Sequence, residues 1–421
     1  MVERRKPIAV SEAVRRTIEG FSELGTEEVA ITECDGRVLG EDIRADHDLP
    51  PFDRSPYDGF AIRAEDTEGV SNQNPAKLQV VEEIAAGDLS KKKIARGQAS
   101  RIMTGAPIPE GADAVVMLEN VTEEEQQGQP YIWVPDSYRS GDNISRQGED
   151  TEKGTVQVEK GTVITPGVKA VLATFGYAKV HVARRPVVGI YATGTELLDV
   201  TEEMVPGKIR NSNAYTLVSQ VGRAGAEARY YGQLVDDFNT CYDAVQRALN
   251  EVDVLVTTGG ASVGDYDYLQ EIFKKLDAEI CFNKVAMRPG SVTTVAKWQG
   301  KTLFALSGNP AACYVGFELF TAPLLKKMMG MSEAYLKQTE AVLEKDFPKP
   351  NPFTRFTRAR ADYKDGRLYA APIGLDKSNA VTPLAHTNAF IVLPGGTRGY
   401  EKGTNVDVLL LNEGSGQWKV T

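Results

Sequence analysis

The stretch Val187-Val188-Gly189-Ile190-Tyr191-Ala192-Thr193-Gly194-Thr195-Glu196 decides the fold. Val187 to Ala192 is an apolar run of strand length, and it stops at a glycine turn that carries an acid. The same pattern returns downstream, where Ala228 to Tyr231, Val252 to Thr257 and Thr302 to Leu306 read as strands. Ser212 to Val221, Asp237 to Asn250, Tyr268 to Leu276 and Ala311 to Met329 read as helices between and after them. Strands apolar on both faces, alternating with helices, predict a doubly wound, mostly parallel sheet with helices on both sides.

Outside this segment the text changes. Ser11 to Leu24 carries Val14, Ile18 and Phe21 at helical spacing and reads as a packing helix. Leu78 to Ile84, Ala114 to Leu118 and Tyr131 to Val134 are short β-prone runs among Pro, Gly and Asn clusters, which predicts a β-rich lobe. Within it, the acidic Thr122 to Pro130 reads as a solvated loop tip. Pro348 to Pro352 reads as a linker, followed by four short strands (Phe356 to Tyr363, Leu368 to Pro372, Ala389 to Leu393, Val406 to Leu411) that suit a small barrel or sandwich. At 421 residues the chain is longer than one core usually serves, so several domains are expected.

Bulk chemistry narrows the function. A formal charge of -10, with no dense Lys/Arg block among aromatics, argues against nucleic acid. No apolar run approaches the roughly 18 residues of a membrane span, and no apolar stretch follows Arg4, Arg5 and Lys6, so a soluble cytoplasmic protein is expected. Cys34, Cys241, Cys281 and Cys313 lie far apart, and His47, His181 and His386 show no ligand spacing, which argues against a zinc site.

In an open parallel sheet, ligands sit beyond the carboxyl ends of the strands. Three turns there carry glycine: Thr193 to Glu196, Thr257 to Ser262 (with Gly259 and Gly260), and Ser307-Gly308-Asn309-Pro310. Glycine admits close backbone approach and helix N-termini favour anions, so the three together could cradle a phosphate, although any one can be purely geometric. Glu196, Asp236, Asp237, Asp265 and Asp267 lie near these turns, where carboxylates could share Mg²⁺ with phosphate oxygens; Asp236 or Asp237 could equally be a helix cap. Lys208, Arg210, Lys284 and Arg288 supply cations. Pro50 to Ala61 and Thr104 to Pro109 form two stiff loops outside the sheet, and Asp58 before Gly59 could be only a turn residue.

Read together, these blocks resemble the MoeA family, the molybdopterin molybdenumtransferases, which includes the E domain of gephyrin. The matching text is PPFDRSPYDGFA (50–61), TGAPIPEGADAVVM (104–117), GTEL (194–197), KIRNSN (208–213), TGGASVGDYD (258–267), KVAMRPG (284–290), GNP (308–310) and NAFIVLP (388–394). The resemblance implies a linking domain at 1–46 and 142–184, the β-rich lobe at 47–141, a MogA-like α/β domain at 185–331 and a C-terminal β-barrel at 335–421. It also implies insertion of molybdate into adenylylated molybdopterin with release of AMP, in a homodimer whose cleft joins the α/β domain of one protomer to the lobe of the other.

Carried over residue by residue, Asp58, Thr104, Glu196, Asp236 and Asp267 would be catalytic, with Asp236 and Asp267 holding Mg²⁺. Gly194, Thr195, Gly259, Gly260, Ser262, Gly308, Asn309 and Pro310 would bind the adenylylated pterin. Lys284, Arg288, Arg358 and Ser378 would meet molybdate. Arg288 and Ser291 stand where many members carry lysines, which changes the geometry offered to an oxyanion. A separate MogA-type adenylyltransferase would supply the activated pterin, and transient contact with it or with molybdoenzyme chaperones is expected. Two rival readings are a pterin adenylyltransferase, which would lack the flanking lobe and barrel, and a gephyrin-like dimeric scaffold, which would not need the retained acids.

Overall fold

The computed structural model describes residues 6–235, 237–259, 268–350 and 352–411. The chain divides into two compact units, one of residues 42–159 and 167–178 and the other of 1–41, 160–166 and 179–421.

The smaller unit is the β-rich lobe. Its six-stranded sheet comprises β1 (Gly59–Ile62), β2 (Ala76–Ile84), β3 (Gln98–Ile102), β4 (Ala114–Met117), β5 (Thr122–Gln126) and β6 (Gln129–Val134), in the order β4-β1-β3-β2-β6-β5. The acidic Thr122 to Pro130 stretch is therefore a strand rather than a loop tip. It forms a hairpin edge whose turn is Gln127-Gly128, both at positive φ. All five residues of β5 are exposed, and Glu123 to Glu125 give the edge a charge that discourages pairing with other chains. Phe60, Ile62, Leu78, Val116 and Ile132 fill the core on one face of the sheet.

The larger unit begins with α1 (Val10–Ile18), shorter than the helix expected to Leu24 because the chain turns through Gly20 at φ +68°. Its main sheet holds β7 (Val187–Thr193), β8 (Glu227–Leu234), β9 (Val254–Thr258), β10 (Glu279–Phe282), β11 (Thr294–Trp298) and β12 (Lys301–Leu306), ordered β8-β7-β9-β12-β11-β10. The four strands β8, β7, β9 and β12 run parallel, as read from the sequence. The antiparallel pair β11 and β10 extends that sheet beyond the expectation.

Alternation along the strands buries both faces. Val188, Ile190, Val254, Val256, Phe304 and Leu306 face one core together with Ala214, Leu217 and Val221 of α2 (Ser212–Arg223). Tyr191, Leu255, Leu303 and Ala305 face a second core with Val245 and Leu249 of α3 (Phe238–Glu251) and Ile272 and Phe273 of α4 (Tyr268–Lys275). Burying one such aliphatic or aromatic side chain contributes about 1.5–3 kcal/mol, so two full cores hold this sheet firmly. The last helix opens as α5 (Pro310–Gly316), passes through a π-helical segment (Phe317–Thr321) and continues as α6 (Ala322–Met328).

The C-terminal strands β13 (Lys337–Leu343), β14 (Thr354–Lys364), β15 (Arg367–Pro372), β16 (Ala389–Leu393) and β17 (Asn405–Leu410) close into a barrel, because β14 pairs with both β15 and β16. Pro348 to Pro352 falls in sequence between two barrel strands and so is not a linker ahead of the barrel, since β13 precedes it and pairs with β17. Met287–Arg288 adds a short parallel pairing to Thr354–Arg355 of the barrel. Among the described residues, no helix is long and apolar enough to cross a membrane.

Candidate active site at the sheet rim

The described parts of the three glycine turns, Thr193 to Glu196, Thr257 to Gly259 and Ser307 to Pro310, meet at the carboxyl ends of β7, β9 and β12. Thr193 Oγ1 donates to Thr258 O at 3.3 Å, and Thr258 Oγ1 donates to Ser307 O at 3.4 Å, so one hydroxyl ladder ties the turns together. Asn213, in the first turn of α2, donates through Nδ2 to Thr258 Oγ1 and to Gly308 O, both at 2.8 Å. Its side chain is buried, so these bonds form away from bulk water and hold the second and third turns at fixed spacing. Sequence reading placed Asn213 inside a matching block without giving it this role. The available signal was a polar residue at the start of a helix, on the buried face that also holds Ala214, Leu217, Gln220 and Val221.

Two glycines are required by geometry. Gly259 sits at φ +94°, and a Cβ there would lie 2.4 Å from the Thr193 carbonyl oxygen. Gly194, at φ +133°, would place a Cβ 2.5 Å from Glu196 Oε2, so the exposed Glu196 carboxylate folds back over its own turn. The Gly194 and Thr195 carbonyls accept from Gln233 Nε2 and Lys208 Nζ, and Ile209 N donates to Glu196 O at 2.9 Å. The KIRNSN segment is thereby laced onto the GTEL turn, where Leu197–Leu198 pairs with Ile209–Arg210. A cleft at this rim is lined by Thr193, Glu196, Asn213, Thr258, Gly308 and Pro310.

The helix after the third turn differs from a free anion-binding N-terminus. Pro310 has no N–H, and the Ala311 amide donates to Ser378 O at 2.9 Å, so the expected donor at this end is already occupied by the barrel side. Asn309 N donates to Ser307 Oγ at 3.2 Å. The Arg288-Pro289-Gly290 turn lies against the same helix, because a Cβ on Gly290 would meet Ala312 O at 3.3 Å. Arg288 is exposed; Lys284 is half-buried and its carbonyl accepts from Ile8 N at 3.1 Å.

Arg358 is almost fully buried and directs its donors to backbone. Nη1 donates to Ala380 O at 2.5 Å, and Nη2 to Leu375 O and Lys377 O at 2.8 and 3.0 Å. It clamps the loop that carries Ser378; the carry-over had it meeting substrate directly. Burial holds its pKa below the ordinary guanidinium value.

Asp237 is a helix cap, the alternative kept open for it, with Oδ1 accepting from Thr240 N at 2.8 Å and from Thr240 Oγ1 at 2.6 Å. Asp236, Asp267, Gly260 and Ser262 lie outside the described residues. Beneath the rim, burial pushes the Cys313 thiol up to about 12, so it is no nucleophile at neutral pH.

In the lobe, the two loops read separately from the sequence are one structure. Gly105 N donates to Ser55 O at 2.8 Å, Ser55 N to Ala106 O at 3.0 Å, and Ile108 N to Asp53 O at 3.0 Å. They bring Asp58 and Thr104 into contact: Asp58 Oδ1 accepts from the Thr104 amide and hydroxyl at 2.7 and 2.8 Å. Both side chains are exposed.

Comparison with known proteins agrees with this architecture. Residues 8–176 match the model of the MoeA N-terminal region (domain I and II), 189–327 that of a probable molybdopterin binding domain, and 340–411 that of the MoeA C-terminal region (domain IV). A molybdopterin molybdenumtransferase of Bacillus subtilis is 55% identical over 419 residues, spanning 99% of this chain and 97% of that one. One of Staphylococcus epidermidis is 48% identical over 414 residues, with 98% of each chain covered. The crystal structure of the molybdopterin biosynthesis moeA protein from Pyrococcus horikoshii superposes with a TM-score of 0.83 at 33% identity, covering 96% of this chain and 100% of that one. A parallel sheet with a hydroxyl-laced glycine rim, in a chain that also holds a β-rich lobe and a closed barrel and is matched over nearly its full length, makes the chain a member of the MoeA family of molybdopterin molybdenumtransferases.

Proposed function

We infer that this chain inserts molybdenum from molybdate into adenylylated molybdopterin and releases AMP. The observation that carries the reading is the lacing of three glycine turns by Thr193, Thr258 and Asn213, which builds one rigid polar rim. A rigid rim suits a phosphoanhydride, because its dipoles need no reorganisation while charge builds on the leaving phosphate. Gly194, Gly259 and Gly308 allow the ligand to approach the backbone closely, with Thr195 beside the first of them. Arg288 and Lys284 would attract the molybdate dianion by charge-assisted hydrogen bonds. In a homodimer, the partner's lobe would contribute the Asp58–Thr104 pair.

A divalent cation suits the oxygen-rich chemistry of this rim. Magnesium needs only one or two carboxylates where phosphate and water complete its shell. Glu196 lines the rim cleft among the described residues and offers one such carboxylate. Asp236 and Asp267, which lie outside the described residues, would hold the cation. Bound there, Mg²⁺ would offset charge on the phosphate oxygens. We assign the activity to the cytoplasm, where a MogA-type adenylyltransferase would deliver the activated pterin and where chaperones of molybdoenzymes would collect the product.

The test is a discontinuous assay of AMP released from adenylylated molybdopterin by the purified chain. Release should require molybdate and Mg²⁺ and should yield a cofactor that activates an apo-molybdoenzyme. AMP release at the same rate without molybdate, with no active cofactor formed, would overturn the assignment.

A further inference from the structure

We propose that the Arg355–Asp376 ion pair is a positioning element for the oxyanion substrate, an inference that rests on reading Arg288 as a molybdate-facing cation. Arg355 pairs through its backbone with Arg288, in the parallel register Met287 to Thr354 and Arg288 to Arg355. Its side chain leaves that pairing for the neighbouring loop, where Nη1 meets Asp376 Oδ2 at 2.8 Å. Lys349 Nζ reaches the same oxygen at 3.1 Å. The Arg355 and Asp376 side chains are only 11% and 20% exposed, so the pair is sheltered and its geometry is fixed more tightly than that of a surface ion pair.

Asp376 precedes Ser378 by two residues on the loop that Arg358 clamps at the carbonyls of Leu375, Lys377 and Ala380. Ser378 O in turn accepts the Ala311 amide at the start of α5, directly after the Gly308 turn. Arg355 and Asp376 therefore connect the Arg288 strand to the loop that meets the α5 N-terminus. Neither side chain needs to touch substrate. Together they set the spacing between two walls of the place where an oxyanion would sit beside Arg288.

The test compares Asp376→Asn, Arg355→Ala and Arg355→Lys, each checked for unchanged circular dichroism, in the AMP-release assay with molybdate and adenylylated pterin varied separately. Asp376→Asn and Arg355→Ala should raise the KM for molybdate by about tenfold while kcat and the KM for the pterin stay within about twofold. Arg355→Lys should recover most of the loss, because it restores the charge toward Asp376. Hydrogen exchange of the 375–380 amides should quicken in the first two variants. An unchanged molybdate KM in both Asp376→Asn and Arg355→Ala would overturn the proposal, as would a lowered kcat with both KM values raised alike. Arg288→Ala separates the two layers of the argument. If it leaves the molybdate KM unchanged, the reading of Arg288 fails; if it raises that KM while the Asp376 and Arg355 variants do not, only the positioning inference fails.

Discussion

Asp58 accepts two hydrogen bonds from one residue, the amide and the hydroxyl of Thr104, on a single carboxylate oxygen, Oδ1. The backbone donor first, and then the hydroxyl, hold the Asp58 pKa below the ordinary carboxylate value. With the folded pKa depressed, the stabilising contribution is present above the unfolded value near about 4 and is lost as pH falls through the folded value. Asp58 is then ionised throughout any neutral assay, with both Thr104 bonds on one of its two oxygens. Asp58→Asn should keep the lobe folded and lower turnover by on the order of 10²-fold, the usual effect of removing one oriented group. Thr104→Ser, which keeps both donors, should be nearly silent, whereas Thr104→Val should be intermediate. Steady-state AMP release between pH 5 and pH 9 checks this, and full activity in Asp58→Asn would remove the residue from the reaction.

Gly259 offers a sharper steric test. An alanine there must tolerate φ +94° and a Cβ 2.4 Å from the Thr193 carbonyl, so the first two turns cannot keep their spacing. Strain of this kind costs about 1–3 kcal/mol, and here it is concentrated at the rim. Gly259→Ala should therefore lose most of its kcat/KM while its far-ultraviolet spectrum stays native. Gly222→Ala is the matched control: it lies in α2 with nothing within 4 Å of its added Cβ, and it should gain up to about 1 kcal/mol from helix propensity. Equal activity in the two variants would show that the rim tolerates displacement.

What the sequence disclosed follows from which forces are local. The parallel strands and their helices were legible because Val187 to Ala192 and its counterparts are apolar on both faces, a signal carried within each segment. The antiparallel strands Glu279–Phe282 and Thr294–Trp298 were not, because one is short and half-exposed and the other follows a loop whose course is set by tertiary contacts. Thr122 to Gln126 looked like a loop because charge was taken for solvation; an exposed edge strand has the same composition. At the site, Gly194, Gly259 and Gly308 could be read from their turns. The clamp by Arg358 could not, since its partners lie 17 to 22 residues away and are carbonyls that no side-chain pattern marks.

Asp253 anchors the entry to the parallel sheet and gives it a pH dependence. Arg184 grips both carboxylate oxygens, at 3.1 and 2.8 Å, and the Val187 amide donates to Oδ2 at 2.8 Å at the first residue of β7. Burial alone would push the Asp253 pKa up, but the Arg184 and Val187 bonds outweigh it and hold it below the ordinary value. Its contribution is thus present above the unfolded pKa near about 4 and is lost as pH falls through the folded pKa. Asp253→Asn should destabilise the larger unit by about 1.5–3 kcal/mol at pH 7, the range for hydrogen bonds to charged groups. In urea titrations the gap between variant and parent should shrink as pH drops below about 4. A gap that is constant down to pH 3 would mean that packing, not charge, supports this position.

The pair Arg223–Glu318 should respond asymmetrically to its two deletions. Glu318 lies in the π-helical segment with its side chain only 4% exposed, whereas Arg223 at the end of α2 keeps 37% of its side chain in water. Glu318 Oε1 accepts from Gln220 Nε2 at 2.6 Å and from the Arg223 guanidinium, yet burial still pushes its pKa up. Removing the arginine leaves a carboxylate that water cannot reach, which costs about 3–5 kcal/mol or forces protonation. Removing the carboxylate leaves a guanidinium that water can reach, so Glu318→Gln should cost less than half as much. Replacing both at once, as Arg223→Met with Glu318→Leu, should recover most of the loss, because the desolvation of both charges disappears together. Denaturation midpoints of the three variants test the order Arg223→Ala, then Glu318→Gln, then the double variant nearest to the parent. Equal losses in the single variants, summed in the double, would show that the two side chains act independently and that Glu318 is reached by solvent in the folded chain.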